Sequence, residues 1–135
     1  MITSEQISRY RLALGILLKK IEANAFKVLF TDGLIQAVPS KVFRTCGRKN
    51  CACMQDKSKR HGPYKVIQAV IEGKRKQIPI NDEKIDLWEK AEHYQTQIKR
   101  LAEIRKTYNE ACDLLSEVIQ KRLEDLTDDR SKKNK

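Results

Sequence analysis

The chain has 135 residues, a net charge of +10 and 34% charged residues, and this length suits one domain with a modest core. No apolar run reaches the roughly 18 to 20 residues of a membrane span, and the N-terminal segment lacks the charge pattern and cleavage site of a secretory signal. We therefore expect a cytoplasmic protein with no membrane partner. In that compartment clustered cysteines are more often metal ligands or redox groups than disulfides.

The positive charge is concentrated in one part of the sequence. Residues 41–76 carry eleven basic side chains against only Asp56 and Glu72, a balance of +9. A solvated surface does not need that concentration, whereas a polyanionic partner would explain it. The alternative is a set of charged loops that serves solubility alone.

The N-terminal segment, residues 1–24, is predicted to form an amphipathic helix with Ser4 as its N-cap. Its apolar side chains recur at spacings of three and four, as in a helix that packs on another helix; they are Ile7, Tyr10, Leu14, Leu17 and Ile21. Two structures stay open for residues 25–38. Asp32-Gly33 between two apolar runs favours a β-hairpin, but the first run can equally extend the helix.

The middle segment, residues 25–80, is predicted to be a basic module with a cysteine loop and a small antiparallel sheet. A short strand after Pro39 leads into the cysteines. An apolar strand from Tyr64 to Ile71, a turn at residues 72–74 and a return strand ending at Ile80 are typical of a β-hairpin. Apolar side chains alternate onto both faces of the first hairpin strand, so we expect both faces to be partly covered.

Residues 81–126 are predicted to form one long helix capped by Asn81. Its apolar stripe consists of Leu87, Tyr94, Leu101, Tyr108 and Leu115 at intervals of seven, broadened by Ile98, Ile104, Ala111 and Val118. This helix is much longer than the first, so part of the stripe would have no partner within the chain. Either the helix bends or a second subunit covers the remainder.

The predicted fold is therefore α+β, as one domain. An N-terminal helix precedes a small antiparallel β-hairpin or three-stranded sheet with a zinc-type cysteine loop. The long C-terminal helix forms a helical hairpin or a coiled coil, and residues 127–135 are expected to be a disordered tail.

Three cysteines and a histidine lie close together as Cys46-x4-Cys51-x-Cys53-x7-His61. Thiolates and imidazole are ligands of tetrahedral zinc, which accepts three cysteines and one histidine in closed structural sites. The loop has few apolar residues, and a bound metal could supply about 10 kcal/mol or more of ordering energy, as in small zinc peptides. We predict a structural Zn²⁺ site with these four residues as ligands.

Two other interpretations of the cysteines stay open. They can be small buried thiols beneath the sheet, with His61 as a hydrogen-bonding turn residue, or they can have a redox or nucleophilic role. The latter would need a CxxC pair in a βαβ unit or an oriented Cys–His pair, and the sequence shows neither. Cys112 and His93, both in the predicted long helix, are the substitute ligands if His61 is not one.

The basic side chains of the middle segment are predicted to form a nucleic-acid surface. The eleven are Lys41, Arg44, Arg48, Lys49, Lys57, Lys59, Arg60, Lys65, Lys74, Arg75 and Lys76. A metal-held loop beside the tip of the hairpin would present them to phosphates on a rigid surface. Phe43 and Tyr64 flank the loop and could stack on exposed bases, although packing is the more common role of such rings.

The pieces "CGRKNCAC", "HGPYKVIQAVIEGKRKQIPI" and "NDEKIDLWEKAEHYQ" resemble a family of small bacterial proteins of unknown function, over about residues 39–105. The family pattern is roughly CGKxxCxC, a basic spacer, HGPY, a β-hairpin and a helix. The resemblance implies that Cys46, Cys51, Cys53 and His61 are defining positions. Members are often associated with transposons and other mobile elements, which implies an accessory role linked to DNA.

These observations favour a non-enzymatic nucleic-acid-binding accessory protein, with DNA preferred over RNA because of the resemblance, and with helices that form a homodimer. The alternative is a protein–protein assembly or adaptor subunit that acts through the long heptad helix, with a helical partner protein. An enzyme is the weakest hypothesis. The sequence has no P-loop, no HExxH and no recognisable serine–histidine–acid group, and four protein ligands would leave zinc no position for water.

Overall fold

A computed structural model describes residues 2–124 and residue 126. The helices and strands in chain order are α1 (Ser4–Leu29), β1 (Val38–Arg44), β2 (His61–Ile71), β3 (Lys74–Pro79) and α2 (Ile85–Arg122). Three short 3₁₀ turns, at Ala52–Met54, Lys57–Lys59 and Asp82–Lys84, connect them. This is the α+β fold that the sequence predicts. The tail expected at residues 127–135 lies outside the described residues.

The chain divides into two compact units. A sheet unit comprises residues Thr31–Lys99, and a helical unit comprises the chain up to Phe30 together with the residues from Arg100 onward. None of the helices among the described residues is long and apolar enough to cross a membrane.

The first helix continues five residues beyond its predicted end, so the β-hairpin considered for residues 25–38 does not form. Ala25 and Val28 are half-buried and continue the three- and four-residue spacing of the predicted stripe, which favours helix over strand. The predicted N-cap, Ser4, is also wrong. Thr3 caps the helix by accepting from the Gln6 backbone N–H at 3.2 Å, and the Gln6 side chain accepts from the Thr3 N–H at 3.0 Å. The two bonds form a capping box.

The sheet unit contains a three-stranded antiparallel sheet in the order β1-β2-β3. Neighbouring residues of β2 point to opposite faces, and both Val66 and Ile67 are almost fully buried, at 1% and 2% exposure. Ile67 packs in a core with Ala37, Trp88 and Ala91. Both faces of β2 are therefore covered near its middle, as the sequence predicts.

The connection into α2 begins at Asn81, whose side-chain oxygen accepts from the Lys84 backbone N–H at 3.1 Å. This bond caps the third 3₁₀ turn, which leads directly into the helix at Ile85. The first turns of α2 are tied to the loop before β1. The Gln95 amide donates to the Ala37 carbonyl at 3.0 Å, and the Gln97 amide donates to the Thr31 hydroxyl at 3.2 Å.

The apolar stripe of α2 separates into two parallel stripes within the helical unit. An inner stripe is buried or half-buried and consists of Ile104, Thr107, Ala111, Leu114 and Val118. An outer stripe is exposed by between 37% and 60% and consists of Leu101, Tyr108, Leu115 and Ile119. Leu101, Tyr108 and Leu115, which belong to the predicted series at intervals of seven, therefore lie in the exposed outer stripe. The covered inner stripe is displaced from them by about one residue along the sequence, as Thr107 and Leu114 show.

Candidate metal centre and basic surface

Four short pieces of chain bring the predicted ligands together. Cys46 follows the end of β1, Cys51 precedes the first 3₁₀ turn, Cys53 lies within that turn, and His61 is the first residue of β2. The four ligand atoms, three Sγ and one imidazole nitrogen, all lie within 4.8 Å of one another. All four residues named from the sequence therefore meet at one point, where they could hold a metal ion.

The distances within this cluster suit ligands around one small ion. Cys46 Sγ and Cys53 Sγ are 3.6 Å apart, and Cys51 Sγ and His61 Nε2 are 3.3 Å apart. A tetrahedral ion with metal–sulfur bonds of about 2.3 Å would separate its sulfur ligands by about 3.8 Å. A disulfide would need about 2.05 Å, and all three cysteines are free thiols.

The backbone holds the cysteine turn in place. The Cys51 N–H donates to the Arg48 carbonyl at 3.1 Å, and the Met54 N–H donates to the Cys51 carbonyl at 3.1 Å. The Cys46 N–H donates to the Cys53 sulfur at 3.5 Å. Beside Cys46, Gly47 has a φ of 77°, a left-handed conformation that glycine adopts without strain. The turn thus directs backbone donors toward the thiols.

The glycine of the HGPY motif permits the close approach of β1 to the histidine ligand. Gly62 has a φ of 138°, and a Cβ atom there would lie 2.7 Å from the Val42 carbonyl oxygen. No side chain fits without moving the backbone of β1. Because His61 is the preceding residue, Gly62 helps to set the position of the imidazole.

Hydrogen bonds stabilise the thiolate form of one cysteine in the cluster. The Cys53 backbone N–H, followed by the side chains of Cys53, His61 and Cys46, lowers the pKa of Cys51 from 9.0 to about 6. The Cys46 backbone N–H favours the Cys53 thiolate, but burial and the adjacent Cys51 and Cys46 sulfurs outweigh it and raise the pKa of Cys53. The thiolate is the metal-binding form of cysteine, so Cys51 is the cysteine of the cluster whose pKa most favours binding a metal ion.

The acidic residue of the cysteine loop has a structural role. Asp56 accepts from the Ser58 backbone N–H at 2.9 Å and from the Ser58 hydroxyl at 2.8 Å, and so caps the second 3₁₀ turn. These bonds lower the pKa of its carboxyl group. Asp56 is not among the clustered ligands, and neither are the substitutes His93 and Cys112.

Eight of the eleven basic residues form two groups at opposite ends of the 11-residue strand β2. Arg48, Lys49, Lys57, Lys59 and Arg60 lie in the segment that ends at His61, whereas Lys74, Arg75 and Lys76 begin β3 and pair with Ile71, Val70 and Ala69. The expectation that the metal-held loop lies beside the hairpin tip is therefore wrong. An antiparallel hairpin places its turn at the far end of the strand from the residue that begins it.

The remaining three basic residues lie along the sheet. Lys41 and Lys65 are directly opposite each other in the β1–β2 ladder, an arrangement of like charges that destabilises a sheet. The Lys65 ammonium lies 5.2 Å from the centroid of the Trp88 ring, and the Arg44 guanidinium donates to the Gln77 side-chain oxygen at 2.9 Å. Among the described residues, no ion pair involves any of the eleven. Sequence reasoning missed the Lys65–Trp88 contact, because nothing in the local pattern relates these two positions.

Comparison of the chain with models of protein families, with curated proteins and with solved structures gives no match.

Proposed function

We propose that Cys46, Cys51, Cys53 and His61 bind one structural zinc ion, and that the unit which this ion stabilises binds nucleic acid through its basic surface. The observation that carries the proposal is the convergence of three sulfurs and one imidazole nitrogen within 4.8 Å. Three thiolates and an imidazole suit zinc better than calcium or magnesium, which prefer oxygen ligands. Four protein ligands would complete a tetrahedron and leave no position for water, which supports a structural role for the ion in a non-enzymatic protein.

The nucleic-acid part of the proposal is supported by unneutralised charge. The segment from residue 41 to 76 has a balance of +9, and the ion pairs of the described residues lie elsewhere, within α1 and α2. The opposed pair Lys41 and Lys65 costs stability in the free protein, and a bound phosphate would relieve that repulsion. The resemblance to proteins of mobile elements favours DNA, and an accessory role in such an element.

Two measurements on chelator-free protein test the proposal. Elemental analysis should give about one zinc per chain. Fluorescence anisotropy with labelled DNA and RNA should show binding that weakens steeply as salt rises from about 50 to 200 mM, because each neutralised phosphate releases counterions. Absence of binding to every nucleic acid at the low-salt end would refute the nucleic-acid role, and metal-free protein that folds normally would refute the zinc site.

We also propose that a second copy of the chain covers the outer stripe of α2. The glutamates lie on the opposite side of the helix: Glu103, Glu110 and Glu117 repeat every seven residues and are exposed, which is typical of a solvated face. Arg105 is the charged residue that lies within the span of the stripe, between Leu101 and Tyr108. The outer stripe is apolar and follows heptad spacing, which is typical of a helix–helix contact. The α1 segment, counted here with its C-cap residue Phe30, also has exposed apolar side chains in two pairs four residues apart, Leu12 with Ile16 and Phe26 with Phe30.

The exposed area is sufficient for a dimer. The four outer-stripe residues and the four on α1 together offer apolar area on the order of 800 Å² per copy, which is what each partner contributes to a standard stable interface. Gly15 lies beside Leu12 and Ile16, and the space where its Cβ would be is open to 4 Å. A dimer would place two basic units on one nucleic acid, which raises affinity through linkage.

Sedimentation analysis tests the dimer. The variant Leu101→Glu, Leu115→Glu should sediment as a monomer at concentrations where the original chain is a dimer, because it buries two carboxylates in an apolar contact. Glu103→Gln, Glu110→Gln on the solvated side of the same helix is the matched control and should remain dimeric. A chain that is monomeric throughout, yet retains a different protein on this stripe, would instead support the adaptor function.

A further inference from the structure

Two aromatic side chains are exposed beside the cysteine cluster. Phe43 is 56% exposed and Tyr64 is 48% exposed, although aromatic side chains in a small sheet usually contribute to its core. Tyr64 is the ladder partner of Val42, and Arg44 is the partner of His61. Phe43 lies in the irregularity between these two pairs. Both aromatic residues therefore lie at the end of the sheet that carries the histidine ligand.

The backbone of the HGPY motif supports the Phe43 ring. The position that a Gly62 Cβ would occupy lies 3.1 Å from Phe43 Cδ1 and 3.2 Å from the Tyr64 backbone nitrogen. The ring edge thus lies against a glycine that has no side chain to displace it. More than half of the Phe43 side chain nevertheless stays open to solvent. An aromatic ring held in this way loses little conformational freedom when a ligand stacks on it.

The chain segment between these two aromatic residues is rich in cations. Lys57, Lys59 and Arg60 immediately precede His61, and Arg48 and Lys49 lie within the cysteine loop. Cores of protein–protein interfaces are depleted of charged residues, lysine above all, so this setting does not suit an apolar protein partner. Open aromatic rings bordered by cations are typical of proteins that bind single-stranded nucleic acid.

We infer that the nucleic acid which this unit binds is single-stranded, with unpaired bases stacked on Phe43 and Tyr64 and phosphates bound by the basic residues of the cysteine loop. In a duplex the base faces are stacked on one another and cannot reach a ring. A single strand offers a π-face at every base, whatever its identity. The inference rests on the proposed nucleic-acid binding and specifies its substrate class.

The test uses the full-length, zinc-loaded chain and fluorescence anisotropy. The probes are labelled oligothymidylate and oligouridylate of about 12 nucleotides, within the range that one small binding fold covers, and a duplex of the same length. Both single strands should bind at least about ten-fold more tightly than the duplex, because stacking adds roughly five- to 150-fold per base. Comparison of the affinities for oligothymidylate and oligouridylate shows whether the protein prefers DNA or RNA. A higher affinity for either single strand than for the duplex supports the inference.

Four variants separate stacking from charge and from folding. Phe43→Leu and Tyr64→Leu should each weaken single-strand binding by roughly five- to 150-fold, with zinc content unchanged. Tyr64→Phe keeps the ring and should bind like the original chain. Val70→Ala changes another exposed apolar residue of β2, 66% exposed and near the hairpin turn, and should have no effect.

The outcomes distinguish the inference from the proposal on which it rests. Duplex binding as tight as single-strand binding, or full affinity in both leucine variants, would overturn the inference and leave nucleic-acid binding intact. No binding to any probe would overturn the proposed function itself.

Discussion

The sheet unit buries whole side chains, whereas α1 in the helical unit has no buried residue. In the sheet unit, Ile67 and Trp88 form a small core, and a separate loop of polar and basic residues brings three cysteines and a histidine together. In the helical unit, Thr107 and Ala111 are buried, many side chains are half-buried, and two apolar stripes stay exposed. The two units thus differ in what their exposed parts offer: one has a cluster that could hold a metal ion, and the other has exposed apolar stripes.

Removal of the metal should have the largest effect and should affect only one unit. In the variant Cys51→Ser, Cys53→Ser, amide hydrogen exchange should show lost protection in residues 44–61 and in the adjoining strands. The expected loss of ordering energy is about 10 kcal/mol, the scale of small structural zinc sites. The amides of α1 should keep their protection. Cys112→Ser, which changes a cysteine outside the cluster, is the control and should retain both metal and protection.

Unchanged zinc content in the double variant would show that the cluster is not the metal site. Equal loss of protection in α1 would show that the two units do not differ in their dependence on the ion.

The lowered pKa of Cys51 allows a second test of the cysteine turn, made on protein from which the metal has been removed. In reduced protein with metal removed, the molecules in which the turn is still formed should be alkylated with a midpoint near pH 6, because hydrogen bonds from Cys53, His61 and Cys46 favour the thiolate there. A folded pKa below the ordinary value of 9.0 contributes stability that is present above pH 9 and is lost as pH falls through about 6. Site-resolved mass spectrometry of the alkylated protein measures the midpoint.

The same measurement in denaturant is the control, and there Cys51 should titrate near its ordinary value. A midpoint in the folded protein equal to that in denaturant would contradict the hydrogen-bonded geometry of the turn.

Truncation of a buried side chain and of an exposed side chain of β2 should change the free energy of unfolding by different amounts. Ile67→Ala should lower the free energy of unfolding by about 2 to 5 kcal/mol, because it leaves a cavity beside Trp88 and Ala91. Val70→Ala, at a position that is largely exposed, should change the free energy by less than about 0.5 kcal/mol. Urea unfolding followed by Trp88 fluorescence reports on the sheet unit. Similar losses of unfolding free energy in the two variants would show that Ile67 and Val70 do not differ in burial as the structure indicates.

The capping box of α1 should give the smallest effect, in the helical unit. Thr3→Ala removes the side-chain acceptor of the Gln6 N–H and should cost about 1 kcal/mol. Ser4→Ala lies one residue inside the helix and should be close to neutral, because alanine has a good helix propensity. Thermal unfolding followed by circular dichroism compares the pair. A larger cost at Ser4 would restore the cap position that the sequence alone indicated.

Several features of this protein could be predicted from local sequence because short-range physical chemistry decides them. The hairpin of β2 and β3 follows from alternating apolar residues around Glu72-Gly73, where both residues have positive φ. The four ligands could be named because their spacing and chemical type limit the choice. The helical character of α2 follows from its periodicity. Its predicted start at residue 81 is wrong by four residues, because a 3₁₀ turn lies between Asn81 and Ile85.

Other features depended on contacts between distant residues. The segment 25–29 is helical because its side chains continue a packed stripe, although its residues have substantial strand propensity. The basic residues looked like one cluster in the sequence, but the antiparallel pairing of β2 with β3 moves Lys74, Arg75 and Lys76 away from the cysteine loop. Local sequence patterns do not predict the exposure of Phe43 and Tyr64 either, because these residues lie at the irregular end of the β1–β2 ladder.

The sequence by itself determined the kinds of elements, their order and the set of metal-type ligands, because periodicity, turn chemistry and ligand chemistry act over a few residues. Only the tertiary structure decided which apolar stripe of α2 is covered, which basic residues lie at the far end of β2 from the cysteine cluster and which aromatic rings stay open. Burial is a property of the whole packed chain: a leucine at a heptad position is equally apolar on either side of a helix, and only the neighbouring elements determine whether water reaches it.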